Sequence, residues 1–238
     1  MKLFCRGKKI ECDVVIYDEL TEEKIKYYED LPKHVDILCA DSSNIVRIHK
    51  KCRIRNLKIY FFKGASNCIC EFGQSSNNTS IDAEIKFFGG SNSHCCVGNF
   101  VQMNGTKIHL CNGSACIIGD ETMISYNVYI RTSDGHAIID RDTKEIINKQ
   151  KNPCIIGNHC WVGLNSIITK NAQIPHDTIV AAGAVVTKIF KKSSTIIGGV
   201  PAKIIKENIE YSDKTIYEYE LSISNHCGSR ESNKPNGL

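Results

Sequence analysis

From Trp161 onward the apolar positions of the chain recur at every sixth residue. Val162, Ile168, Ile174, Val180 and Val186 keep this beat through WVGLNSIITKNAQIPHDTIVAAGAVVTK, which suits neither the 3.6-residue period of a helix nor the alternation of an ordinary strand. A period of six is the signature of a parallel β-helix, in which each coil has three short sides and each side points one aliphatic residue into the shaft. Two further columns keep the same register. Three residues after each of the first four aliphatics stand Asn165, Asn171, Asp177 and Gly183, types that tolerate the left-handed backbone of a tight corner. One residue later stand Ser166, Ala172, Thr178 and Ala184, small enough for the line where two sides meet.

An upstream block has the same frame: Ile118, Ile124 and Ile130 lead hexads, and Asn127 falls in the corner column. The next inward position would be residue 136, yet the beat resumes only at Ile156. About residues 134–153 are therefore expected to leave the shaft as an excursion loop, and a long loop in a compact domain draws attention as a functional element. Before residue 118 the beat weakens, but NLKIYFF, CICEF, AEIKFFGG, CCVGNF and KIHLCNGSACIIG read as short strands between Gly, Asn and Ser corners. The expected organisation is an N-terminal cap over 1–50, a β-helix over 51–206 and a partly disordered tail over 207–238 ending in the polar SNHCGSRESNKPNGL. Within the cap, Glu22 and Glu23 in a first turn suggest a short helix over Thr21–Leu31.

Composition narrows the partners. Hydrophobic residues at 42% and charged residues at 24% are ordinary for a soluble globular chain. The N-terminus lacks a signal-peptide pattern and nothing approaches the roughly 20 apolar residues of a transmembrane segment, so the expectation is cytoplasmic. Thirteen cysteines are an odd number, and free thiols are expected rather than a disulfide framework. Neither Cys68 with Cys70 nor Cys95 with Cys96 has zinc-site spacing, and Cys116 and Cys160 fall in the small inward column, as packing residues do. A net charge of +4 is too small to imply nucleic acid and suits an anionic ligand. RIHKKCRIR, Arg47 to Arg55, is either a charged edge strand or a hold for an anionic polymer.

The segments NVYIRTSDGHAI, IIGNHCWVGLNSIITKNAQI, VAAGAVVTK and GGVPAKII stand in this order within residues 118–206. They resemble the left-handed β-helix, or hexapeptide-repeat, acyltransferases, and more closely the bacterial O-acetyltransferases of sugars, capsular polysaccharides and sialic acid. The resemblance implies an all-β fold built as a left-handed triangular β-helix. It further implies acetyl-CoA as cosubstrate, a sugar or polysaccharide acceptor, a homotrimer with sites between neighbouring shafts, and no metal.

The same resemblance assigns His136 as catalytic base, and a group titrating near neutrality suits the deprotonation of an attacking hydroxyl. Asp134 either orients the imidazole or is a turn residue, and Asn127 joins His136 as an acceptor-binding position. Trp161, the only tryptophan, points outward by alternation. Resemblance puts it on the donor channel, where its indole N–H or a neighbouring backbone N–H would stabilise the thioester oxyanion; packing against another subunit is compatible with this. Leu164 and Ala182 are assigned backbone contacts to the pantetheine arm, with Thr187 and Lys188 further along. Lys203 and Lys206 fall where basic residues face the nucleotide phosphates, as point charges in place of the more frequent Arg. No Ser or Cys stands beside His136 as a nucleophile, so direct attack in a ternary complex is expected. Three alternatives stay open: an N-acetyltransferase of an amino-sugar nucleotide, a non-catalytic scaffold, and a zinc hydratase on His136, His159 and His176. The last two histidines fall in corners rather than forming a close pair.

Overall fold

Each hexad becomes one side of a coil, and successive sides stack into three parallel sheets. The coil that begins at Cys154 lays Cys154–Ile156 on a first face, Trp161–Val162 on a second and Ile167–Ile168 on a third, then returns to the first at Gln173–Ile174. The architecture is a left-handed parallel β-helix, and the computed structural model describes it over residues 9–231. Val162, Ile168, Ile174, Val180 and Val186 all point into the shaft with at most 1% of their surface exposed. Asn165, Asn171, Asp177 and Gly183 turn the corners at φ of 58°, 63°, 54° and 71°, and Ser166, Ala172, Thr178 and Ala184 are fully buried where the sides meet. The six-residue beat is thus the direct imprint of shaft geometry on sequence.

The earlier coils are wider and lie outside the hexad rhythm. Phe61, Phe72 and Phe87 fill them as fully buried side chains, with the Phe61 and Phe87 rings stacked at 4.5 Å. Inside the first face Cys70, Cys95, Cys116 and Cys154 stand in register on successive coils, all buried. Burial pushes the Cys154 thiol up to about 12 and the Cys160 thiol to about 11, so both behave as packing groups rather than nucleophiles. Among the described residues the cysteines are free, and no helix is long and apolar enough to cross a membrane.

Three expectations are corrected here. The shaft does not begin near residue 51: Lys9–Tyr17 pairs in parallel with Ile45–His49, and Val35–Cys39 with Ile54–Phe61. Val14, Val35 and Ile37 are fully buried in the same core. These coils use strands of up to nine residues, and longer sides erase the six-residue signal. The segment Thr21–Leu31 is not a helix; Glu22–Tyr27 is an edge strand antiparallel to Lys9–Tyr17, followed by a 3-10 turn at Tyr28–Asp30. Asp18 closes the connecting turn by accepting the Leu20 and Thr21 N–H groups at 2.9 and 2.8 Å, and pairing with an existing sheet edge outweighs a weak local helix preference. The tail holds a helix, Ile216–Glu231, opened by a capping box in which Thr215 N–H donates to Glu218 Oε2 at 2.8 Å and Glu218 N–H to Thr215 Oγ1 at 3.3 Å. The remainder of the polar end, 232–238, lies outside the described residues.

Candidate active site

Between Arg131 on the third face and Cys154 on the first, the chain leaves the shaft. Gly135, at φ 83°, makes the exit turn. The two limbs of this loop meet in an antiparallel bridge between Ile139 and Ile146, and the tip is a turn in which Asp140 Oδ1 accepts the Asp142 and Thr143 N–H groups at 3.0 and 2.8 Å. Asn148 ties the base of the loop. Its Nδ2 donates to Asp134 Oδ2 at 2.8 Å and to the His136 carbonyl at 2.9 Å, while its Oδ1 accepts the Ile138 N–H at 2.8 Å. Lys170, from the next coil, pairs with Asp134 and donates to the Asn148 carbonyl at 3.1 Å.

His136 therefore sits on a braced segment, exposed, lining a cleft of about 640 Å³ together with Ser133, Lys149 and Lys151. Among the described residues nothing hydrogen-bonds its imidazole, so Asp134 does not orient the ring as one expectation had it. Asp134 holds the loop instead. Lys170 and Asn148 pull its carboxyl below the ordinary range. With a depressed folded-state value, the brace contributes stability that is fully present above the ordinary value of about 3.9 and is lost as pH falls through the lowered one. Protease resistance of the loop is expected to stay level from about pH 8 to about pH 5 and to fall only below about pH 4. A transition near neutrality would contradict this account.

Trp161 is 40% exposed on the second face, between Met123 and Ile179 in register. It lines a different cleft, of about 690 Å³, closed by Tyr211 and the start of the C-terminal helix. Tyr211 stacks on His159 at 4.4 Å, approaches the Trp161 ring at 6.2 Å and donates its hydroxyl to the Cys160 carbonyl at 3.3 Å. Burial pushes that hydroxyl up to about 12. Leu164, Ala182 and Asn127 lie exposed along the ridge between the second and third faces, where Gly183 N–H donates to the Leu164 carbonyl at 2.8 Å. A Cβ on Gly163 would stand 2.7 Å from the Ala182 nitrogen, so glycine lets successive corners close up. Thr187 and Lys188 are exposed at the corner between the third and first faces, with the Lys188 ammonium 5.2 Å from the Phe190 ring centre, and Lys203 and Lys206 are exposed on the antiparallel strand that ends the second-face sheet. Within one chain, then, the ridge and Trp161 are grouped on one side of the prism, and His136 leaves from another corner.

No family model matches the chain. Galactoside O-acetyltransferase of Escherichia coli K12 is 27% identical over 155 residues, which cover 64% of this chain and 73% of that enzyme. Polysialic acid O-acetyltransferase of Escherichia coli O1:K1 / APEC is 41% identical over 112 residues, 47% of this chain and 36% of that one. The crystal structure of NeuO, a polysialic acid specific acetyltransferase, superposes with a TM-score of 0.63 over 87% of this chain and 94% of that chain, at 24% identity, and shows a shared fold. The chain resembles the hexapeptide-repeat sugar O-acetyltransferases. It spans about half or less of the length of the polysialic acid enzymes it matches in sequence.

The basic stretch is neutralised in part: Arg47 pairs with Glu22 and Glu71, Lys50 with Asp18, and Arg55 with Asp82, while Lys51 and Arg53 stay exposed. His49 is only 7% exposed. Alternation turns the paired cations towards carboxylates on neighbouring coils and turns. His159 and His176 take opposite oxygens of Asp177 at 2.8 and 2.6 Å, a corner brace well removed from the loop of His136. The residues that sequence reasoning missed, Asn148, Lys170 and Tyr211, sit outside the aliphatic, corner and small columns, and no periodic signal marks them.

Proposed function

We propose that the protein is an O-acetyltransferase that moves an acetyl group from acetyl-CoA to a hydroxyl of an anionic bacterial surface glycan or its acidic sugar, sialic acid foremost, with His136 as general base. The supporting observation is the braced loop, which presents a histidine with an unengaged imidazole to a cleft walled by Lys149 and Lys151. The acceptor hydroxyl gives its proton to His136 as its oxygen attacks the thioester carbon. Collapse of the tetrahedral intermediate then expels the coenzyme A thiolate, which takes the proton. In this reading Trp161, or a backbone N–H beside it, donates to the oxyanion. Leu164 and Ala182 offer backbone groups to the pantetheine arm, Thr187 and Lys188 extend that track, and Lys203 and Lys206 face the phosphates. Asn127, on the same ridge, meets the acceptor. A cytoplasmic location without a bound metal belongs to the same reading.

Because His136 and Trp161 line separate clefts in one chain, the reading requires a homotrimer in which the loop of one subunit meets the Trp161 face of the next. Cyclic closure gives each subunit one such junction. Mixing inactive His136→Ala and Trp161→Ala chains before assembly is expected to restore about a quarter of wild-type activity, since about one junction in four then unites both native residues. No recovery from mixed trimers would place the whole site within one chain.

The direct test offers acetyl-CoA with sialic acid, oligosialic acid, galactosides and glucosamine, read by thiol release and product mass. Absence of transfer to any sugar overturns the enzymatic reading. A galactoside preferred to every acid overturns the acceptor class, and acetylation of the glucosamine nitrogen overturns O-transfer.

A further inference from the structure

The outer surface of the third face carries a row of aromatic rings that neither the core nor the His136 cleft uses. Tyr60 stacks on Phe62 at 6.0 Å and Phe62 on Phe88 at 5.0 Å; Phe88 meets His109, and His109 meets Tyr129, edge-on at 5.3 Å. Phe62 and Phe88 remain 37% and 38% exposed. The row crosses adjacent coils, because Tyr60, Lys86, His109 and Arg131 are register partners in one outward column. Cations accompany the rings: the Lys86 ammonium lies 5.6 Å from the Tyr60 ring centre and that of Lys107 lies 5.5 Å from Tyr129.

The column leads to the candidate site. Arg131 ends the third-face strand from which the loop departs, and its Nη2 lies 3.7 Å from where a Cβ on Gly135 would stand, one residue before His136. Lys86 is held by Glu84 at 2.7 Å, whereas Lys107 and Arg131 have no ion-pair partner among the described residues. Exposed rings offer the flat apolar surface on which the C–H face of a pyranose packs, and unpaired cations beside them offer what a carboxylated sugar needs.

We infer that this face is an extended acceptor platform, which holds neighbouring units of an anionic glycan while the reacting unit lies at His136. The inference rests on the acetyltransferase reading above and adds where a polymeric acceptor runs. Three strand spacings of about 4.8 Å separate the Arg131 strand from the Tyr60 strand, ~14 Å in all, a span for about three pyranose units. The enzyme then favours a chain over a single sugar, and the preference resides in Phe88 and Lys107.

Kinetics with sialic acid monomer and tetramer test this, alongside calorimetric binding of the tetramer and of a neutral tetrasaccharide without donor. Tetramer kcat/KM is expected to exceed that of the monomer by about tenfold, and Phe88→Ala or Lys107→Gln to remove most of that ratio. Lys107→Gln, a change on an exposed side chain, guards against a folding defect in the aromatic variant. Transfer to both acceptors at equal efficiency overturns the platform and leaves the acetyltransferase standing. Absence of transfer, with tetramer binding that Phe88→Ala weakens, overturns the enzymatic reading and supports this face as a glycan site. Equal binding of the neutral tetrasaccharide overturns the anionic specificity. A changed sedimenting mass for Phe88→Ala identifies the face as an interface between copies and overturns the inference.

Discussion

Replacing His136 with alanine is expected to lower turnover by at least about a hundredfold, the scale on which a positioned general base acts, while donor affinity stays within about threefold. The two effects separate because the proposed base acts on the acceptor's proton, whereas the proposed donor contacts run along the Trp161 face. Donor binding is readable in the same variant, since Trp161 is the only tryptophan and its emission reports the proposed donor channel. Trp161→Ala, by contrast, is expected to damage both donor affinity and turnover. Wild-type turnover in His136→Ala would move the base elsewhere and leave the braced loop without a catalytic role.

The second large effect concerns the shaft. Phe87→Ala is expected to cost ~3–5 kcal/mol of stability, the usual range for emptying an aromatic site in a core, because its side chain is fully buried and stacked on Phe61 at 4.5 Å. In a solenoid each coil rests on its two neighbours, so the defect falls on the wide coils and cannot be shared across the molecule. Phe88→Ala, one residue on and facing outward, loses only its surface ring contacts and is expected to cost about 1 kcal/mol. Urea unfolding of the pair measures the contrast. Equal losses at the two positions would mean that the strand is not divided between shaft and surface as described.

The hexads from residue 118 onward were legible because each coil there is built from near-identical sides: an aliphatic inward, a left-handed corner, a small residue at the meeting line. Val162 with Asn165 and Ser166 is one such unit. Upstream, sides such as Ile81–Phe88 carry the same inward alternation over eight residues, which reads as strand but hides the coil. Glu22–Tyr27 failed as a helix because its partner, Lys9–Tyr17, is supplied by the sheet rather than by the segment itself.

By itself the sequence determined the shaft, its corners and the point at which a loop leaves it, since these depend on local backbone preference and on burial repeated at a fixed period. His136 was marked by the break in that period and by the family resemblance, and Trp161 by its outward register and the same resemblance. Only the tertiary structure decided what they stand beside: Lys170 holding Asp134, Asn148 closing the loop, Tyr211 against His159, and aromatic rings from four successive third-face coils joined in one row. Those contacts link residues tens of positions apart, and stacking coils in register brings them together without leaving a repeat in the chain. The same stacking neutralised Arg47, Lys50 and Arg55 against carboxylates that are distant in sequence, because charge on a strand acts through its neighbours in space rather than through those in sequence.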